Sequence, residues 1–184
     1  KTLLLFLLFV TSFALAAEES PQTAPTAQDY HPVTQLNGWS VRIHKSLDNR
    51  PLRKELLALF SQKLDIVATL FADNPERLKS LQSVTFWLTH DQPIRGAAYH
   101  PSRQWLANNG RVPEMAKAIE IKNANSFVDW ADAQPAMVLH ELAHAYHNHL
   151  LGDDHPGILK AFRAAKNSGS YTNLPKRTGD PKKP

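Results

Sequence analysis

The chain has 184 residues, of which 42% are hydrophobic and 21% charged, and this composition is typical of one globular domain with enough chain to bury a core. The net charge of +4 comes from a basic excess near the C-terminal end, so a nucleic-acid partner is not favoured. The chain has no cysteine, which excludes a disulfide framework. Stability must therefore come from core packing, with a bound metal as a further source.

The first 16 residues have the pattern of a secretory signal peptide. Lys1 precedes an apolar run, and Ala14, Leu15 and Ala16 form a small-x-small cleavage site. The run is short for a transmembrane helix, so we expect a secreted or periplasmic protein without stable membrane insertion after cleavage; a retained anchor is the alternative. Residues 17–35 are rich in Ala, Pro, Thr, Gln and Glu without an apolar period, which predicts a flexible lead-in.

Hydrophobic periodicity predicts an α+β domain over residues 36–168, followed by an irregular basic tail at 169–184. Strands are indicated by alternation of apolar and polar residues, and the longest helix by an apolar stripe that begins after Pro51. The predicted elements, in chain order, are a strand at 39–47, a helix at 51–71, a helical turn or two at 76–81, strands at 84–88 and 96–100, a helical turn at 103–107, a strand at 118–122, and helices at 135–151 and 157–166.

The helix predicted at residues 135–151 carries the motif H-E-x-x-H, formed by His140, Glu141 and His144. Positions four residues apart lie one above the other on a helix, so the two imidazoles can bind one zinc ion. Glu141 projects from the neighbouring edge of the same face, where it can act as general base. The alternative is an ordinary amphipathic helix with surface histidines. The predicted helix signals are Asp132 as N-cap, Pro135 in the first turn and Gly152 after the last turn.

The segment HELAHAYH resembles the active-site helix of zincin metallopeptidases. The stretch from about residue 99 to 171 is similar to secreted bacterial metallopeptidases of the gluzincin type, distantly like the anthrax lethal factor catalytic domain. This resemblance implies a zincin-like lobe with a small mixed sheet, a backing helix and an active-site helix. It also implies Zn²⁺ held by His140 and His144, Glu141 as catalytic base, and a peptide or protein substrate.

In the zincin architecture, the strand just before the active-site helix typically forms the edge of the sheet that lines the cleft. The candidate for that edge is the strand around Ile119 and Ile121, where a peptide could add as another strand. An interior strand or a hairpin arm is an equally weighted alternative.

The third zinc ligand is the point at which the chain departs from the resembling family. A gluzincin needs a downstream Glu, but Glu141 is the last glutamate in the chain. His147 shares the helix face yet lies about 10 Å along the axis from His140, so we expect a supporting or surface role for it. His149 is expected to face solvent. His155 is the best substitute within the chain, and the other expectation is a ligand beyond Pro184 in a continuation of the sequence.

Further polar candidates have weaker support. Asp180 only faintly resembles the ligand of another zincin class, and Tyr99, His100 and Tyr171 are more often core or surface residues than oxyanion stabilisers. The leading hypothesis is zinc-dependent peptide-bond hydrolysis. Two alternatives remain open, a noncatalytic zinc-stabilised binding module of the cell envelope and an inactive zincin remnant.

Overall fold

A five-stranded mixed sheet carries the fold, which confirms the α+β prediction. The computed structural model describes residues 25–170 except 91, 93, 94 and 153, so the predicted signal peptide and residues 171–184 lie outside the described part. The strands are β1 (Thr34–Leu36), β2 (Trp39–Ile43), β3 (Phe86–Leu88), β4 (Ala97–Tyr99) and β5 (Ile119–Ile121). Their spatial order is β1-β2-β3-β5-β4. The three central strands are parallel, while β1 and β4 run antiparallel to their neighbours.

Six α-helices accompany the sheet in the described part of the chain. The apolar stripe after Pro51 forms a helix as predicted, and its buried residues Leu56, Phe60 and Leu64 recur at helical spacing. This helix crosses one face of the sheet, where the main core lies. The helices are α1 (Leu52–Leu70), α2 (Pro75–Gln82), α3 (Arg103–Asn108), α4 (Ala124–Trp130), α5 (Met137–Tyr146) and α6 (Pro156–Asn167).

The two faces of the sheet are covered differently. Side chains alternate between the two faces along each strand. Phe86 and Ile119 therefore lie on the face beneath α1, α4 and α5, whereas Trp87 and Glu120 lie on the other face. The second face is covered by a smaller cluster around Trp87 that includes Leu106 of α3. Helix α5 packs on the same face of the sheet as α1 and also lies beside the edge strand β4.

The predicted edge strand is wrong, and the interior alternative is correct. β5 pairs with β3 on one side and with β4 on the other, so β4 forms the edge of the described sheet. The prediction came from the zincin architecture, and the order of strands depends on pairings between distant segments that no local pattern indicates. Glu120 in the middle of β5 is buried, and the Arg111 guanidinium together with a hydrogen bond from His100 compensates for the charge of its carboxylate.

Two boundary predictions also differ from the structure. The lead-in predicted to be flexible joins the fold from Ala27 onwards, because Tyr30 is only 2% exposed and bridges to His44, and β1 follows. Asp132 does not cap the motif helix, which begins at Met137 after the separate helix α4 and a turn. No helix in the described ranges is long and apolar enough to cross a membrane.

Candidate functional site

Helix α5 presents the two motif histidines side by side. The Nε2 atoms of His140 and His144 are 3.0 Å apart, and their rings meet edge to face with centroids 4.7 Å apart. Two zinc–nitrogen bonds of about 2.05 Å at a tetrahedral angle would separate the nitrogens by about 3.3 Å. Both side chains are exposed, so an ion has access to them. The histidines therefore fit two positions of one zinc site.

The helix is placed by its apolar side. Leu142 and Ala145 are fully buried in the main core, and Val138 is nearly so. These positions recur at the spacing of one helix face, and the histidines fall on the other. The same local pattern that predicts the helix therefore also aims the motif outwards.

Glu141 is held between the helix and the edge strand. Its Oε2 accepts a hydrogen bond of 2.8 Å from the backbone N–H of Tyr99 in β4. Gly96 and His100, which flank β4, bond to Lys122 and Ala118 on the β5 side. Because hydrogen-bonded positions alternate along an antiparallel pair, the backbone groups of Tyr99 point away from β5, towards the outer side of the sheet. The carboxylate of the predicted base is thus fixed at the strand edge that faces the motif.

The groove between α5 and β4 consists of two adjoining cavities that share Glu141 and Ala97. One cavity, of about 380 Å³, lies on the His144 side and is also lined by His147 and Asn148. The other, of about 430 Å³, lies on the His140 side and includes Trp130 and Gln134. Glu141 consequently stands in the middle of one elongated cleft.

No protein-family model, curated protein or solved structure matches this chain significantly. Among the described residues, no group of three or more His, Cys, Asp or Glu side chains could hold a metal ion, so the third ligand stays a prediction. The donors that the described chain brings together are the two imidazoles, with one carboxylate beside them.

The other histidines near the motif have different surroundings. His147 is half-buried and lines the cleft, and within the described chain its Nε2 makes no hydrogen bond. His149 is exposed as predicted, with its ring 5.8 Å from that of Tyr99. His155 lies at the start of α6, with its ring close to Gly157. Asp180 and Tyr171 lie outside the described residues.

A π-helical turn, His147–Leu151, follows α5 and ties the motif helix to the sheet. Asn148 Oδ1 in this turn accepts hydrogen bonds from the Tyr99 hydroxyl at 2.9 Å and from Lys117 Nζ at 2.5 Å. Burial and the positive charge of Lys117 lower the pKa of the neighbouring His149. The turn therefore fixes one end of the cleft and disfavours a further positive charge there.

A buried polar network supports β4 from the other face of the sheet. Glu120, 1% exposed, accepts hydrogen bonds from His100 Nε2 at 2.9 Å, from Thr89 Oγ1 at 3.2 Å, and from Arg111. Burial alone would raise the pKa of Glu120, but the bond from His100 and the charge of Arg111 outweigh it and the pKa is lowered. His100 therefore lies opposite the motif helix rather than in the cleft.

Sequence reasoning missed the cleft residues that come from other elements. Trp130 lies on α4, a helix that was not predicted, and Lys117 reaches Asn148 from the turn before β5. No local sequence pattern predicts either contact. Asn148 did have a signal, since it lies four residues after His144 on the same side of the helix.

Proposed function

We propose that the protein is a zinc-dependent peptidase in which Glu141 acts as general base. The observation that carries the proposal is the joint placement of the motif: the His140 and His144 nitrogens lie 3.0 Å apart, and the Glu141 carboxylate is held at a strand edge in the same cleft. Paired imidazoles with an adjacent carboxylate suit hydrolysis by an activated water. The N-terminal pattern adds the proposal that the protein acts outside the cytoplasm.

The chain's own residues account for binding and proton transfer. A bound zinc ion would supply a water of lowered pKa and polarise the substrate carbonyl. Glu141 takes the proton of the attacking water on a carboxylate oxygen and gives it to the leaving amine as the peptide bond breaks. His140 and His144 would hold the ion through their Nε2 atoms, which face each other on one side of α5.

The peptide substrate fits the cleft as an added strand. The backbone groups of Ala97 and Tyr99 point to the outer side of β4, where an extended chain can pair in a ladder by replacing the partners that these groups have in this structure. The Tyr99 N–H already donates to Glu141, so a substrate carbonyl that pairs there displaces the carboxylate from this bond. Strand pairing would thereby release Glu141 towards the reacting water at the moment the substrate is in place.

A zinc-loaded preparation of the full chain tests the proposal. It should cleave a mixed peptide library, and Glu141→Gln should lower the rate by about 100-fold or more while zinc binding persists. Glu114→Gln is the matched control, because Glu114 is an exposed carboxylate that does not line the cleft. This variant should cleave peptides at the rate of the wild type. Unchanged cleavage by Glu141→Gln, or no cleavage by zinc-loaded wild type, contradicts the proposal.

The second candidate function is an inactive zincin remnant that keeps the cleft as a peptide-binding groove. It is favoured by the finding that the described residues bring together two neighbouring imidazoles and no third ligand, because catalytic zinc takes three protein ligands and structural zinc takes four. This alternative predicts that zinc binds weakly and that peptides bind to the cleft. It also predicts that no peptide is hydrolysed and that Glu141→Gln changes none of these properties.

A further inference from the structure

A third cavity lies across β4 from the motif helix. It has a volume of about 520 Å³ and shares Ala98, Tyr99 and Pro101 with the cleft, so the two spaces meet along the edge strand. Its remaining walls come from the opposite side of the sheet and include Trp105 of α3 and Lys122 at the end of β5. The lining is mainly apolar and has no acidic side chain.

Trp105 is an exposed aromatic side chain held in a fixed position. Its side chain is 53% exposed, yet its ring stacks on that of His100 with the centroids 6.2 Å apart and the planes 21° apart. His100 is itself fixed by its bond to Glu120. The Trp105 backbone is anchored by the N-cap Ser102, which accepts its N–H at 3.1 Å, and by Asn109, which donates to its carbonyl at 2.8 Å.

Strand geometry connects this cavity to a bound peptide. Side chains of a strand alternate between the two faces, and Ala98 faces the same side as Glu120, which pairs with it, whereas Tyr99 faces α5. A peptide paired with the outer side of β4 continues this alternation. Every second side chain of that peptide therefore points to the face where Trp105 stands.

We propose that the Trp105 cavity is a specificity pocket that accepts an aromatic side chain of a peptide laid along β4. The inference rests on the proposed function in one respect, the pairing of a peptide with this edge. An aromatic ring matches the apolar lining and the exposed indole, and Trp105 is already ordered, so little conformational entropy is lost on binding. Arg111 and Lys122 also line the cavity, and a cation over the face of an aromatic ring adds to its binding.

Binding to the full chain carrying Glu141→Gln tests the pocket without turnover. The probes are blocked hexapeptides of alanine and threonine with phenylalanine at each position in turn, and a parent without phenylalanine. One phenylalanine position should bind roughly tenfold tighter than the parent. The indole N–H signal of Trp105, identified by its loss in Trp105→Phe, should shift in the same titration.

Variants separate the pocket from a general loss of structure. Trp105→Ala should abolish the tenfold gain while leaving the affinity for the parent peptide unchanged, and Trp105→Phe should keep most of the gain. Phe162→Ala removes another exposed aromatic residue, on α6, and should behave as wild type. The inference is overturned if no phenylalanine position binds tighter than the parent, or if the gain survives Trp105→Ala.

The outcomes for the pocket and for the peptidase are distinct. If zinc-loaded wild type cleaves nothing while the phenylalanine gain depends on Trp105, the peptidase proposal fails and the pocket stands. If peptides are cleaved with a preference that Trp105→Ala leaves unchanged, the pocket fails and the peptidase stands.

Discussion

Neutralising Glu120 should weaken the protein far more than neutralising an exposed glutamate in an otherwise similar ion pair. Glu120→Gln keeps the side-chain shape but removes the charge that faces Arg111, whose side chain is only 12% exposed. Glu114→Gln is the matched control because Glu114 also pairs with an arginine, Arg103, but both side chains are largely exposed. The comparison isolates burial as the variable.

The expected loss in the free energy of unfolding depends on whether the arginine that loses its partner is buried or exposed. A guanidinium left buried without its partner costs about 3–5 kcal/mol, whereas an exposed pair contributes about 0–1 kcal/mol. The amide of Glu120→Gln can still accept one hydrogen bond, so we expect a loss of about 3 kcal/mol in the free energy of unfolding. A domain of this size has about 5–15 kcal/mol in total, so the variant should remain folded.

The difference in stability between wild type and Glu120→Gln should also depend on pH. The pKa of Glu120 is lower in the folded protein than in the unfolded chain, so its carboxylate stabilises the fold above the ordinary glutamate pKa. This stabilisation is lost as the pH falls from that ordinary value through the lowered pKa of the folded state. Wild type and Glu120→Gln should therefore converge in acid, since both then lack the charge.

Urea denaturation followed by tryptophan fluorescence measures the effect at neutral pH and at successively lower pH values. The expected result is a clearly lower midpoint for Glu120→Gln at neutral pH, with Glu114→Gln close to wild type. Equal midpoints for the two variants at neutral pH would refute the reasoning, because the buried and the exposed ion pair would then contribute equally to the free energy of unfolding.

Three further predictions concern the motif helix and its surroundings. Zinc at about 100 times its dissociation constant should raise the free energy of unfolding by about 2.7 kcal/mol, and His144→Ala should abolish the rise in a thermal melt; an equal rise in both proteins would argue against this ligand. Leu142→Ala should cost about 2–5 kcal/mol by urea denaturation because the side chain is fully buried, and a loss near zero would mean that α5 is not packed as described. In an NMR titration, His149 should show a pKa below its ordinary value, and Lys117→Met should raise it; coincident titration curves would exclude the charge of Lys117 as a cause.

Much of the element pattern was predictable because it depends on local periodicity. The stripe of Leu56, Phe60 and Leu64 predicted α1, and the alternation around Val41 predicted β2. Helix α4 was missed because residues 124–130 are a short segment whose main local signal is the N-cap Asn123, which accepts from Ser126 N–H. Short helices of this kind are stabilised by tertiary packing, here against α1, more than by propensity.

The candidate site also has a part that local sequence predicts and a part that it does not. His140, Glu141 and His144 were predictable as a group because their spacing is a property of one helix, and the apolar residues between them fix which side faces the core. The partner of Glu141 was not predictable, because Tyr99 lies 42 residues earlier and meets it only when β4 takes the edge of the sheet.

The helical face that carries the two imidazoles and the carboxylate follows from local sequence, since bonds and contacts within a few residues are enough to form it. The edge position of β4 and the burial of Glu120 depend on the folded chain as a whole. Strand order depends on pairings between distant segments, and a buried charge is tolerated only when His100 and Arg111 arrive from elsewhere in the chain. That arrangement also places Trp105 beside the edge strand, which no periodicity in the sequence indicates.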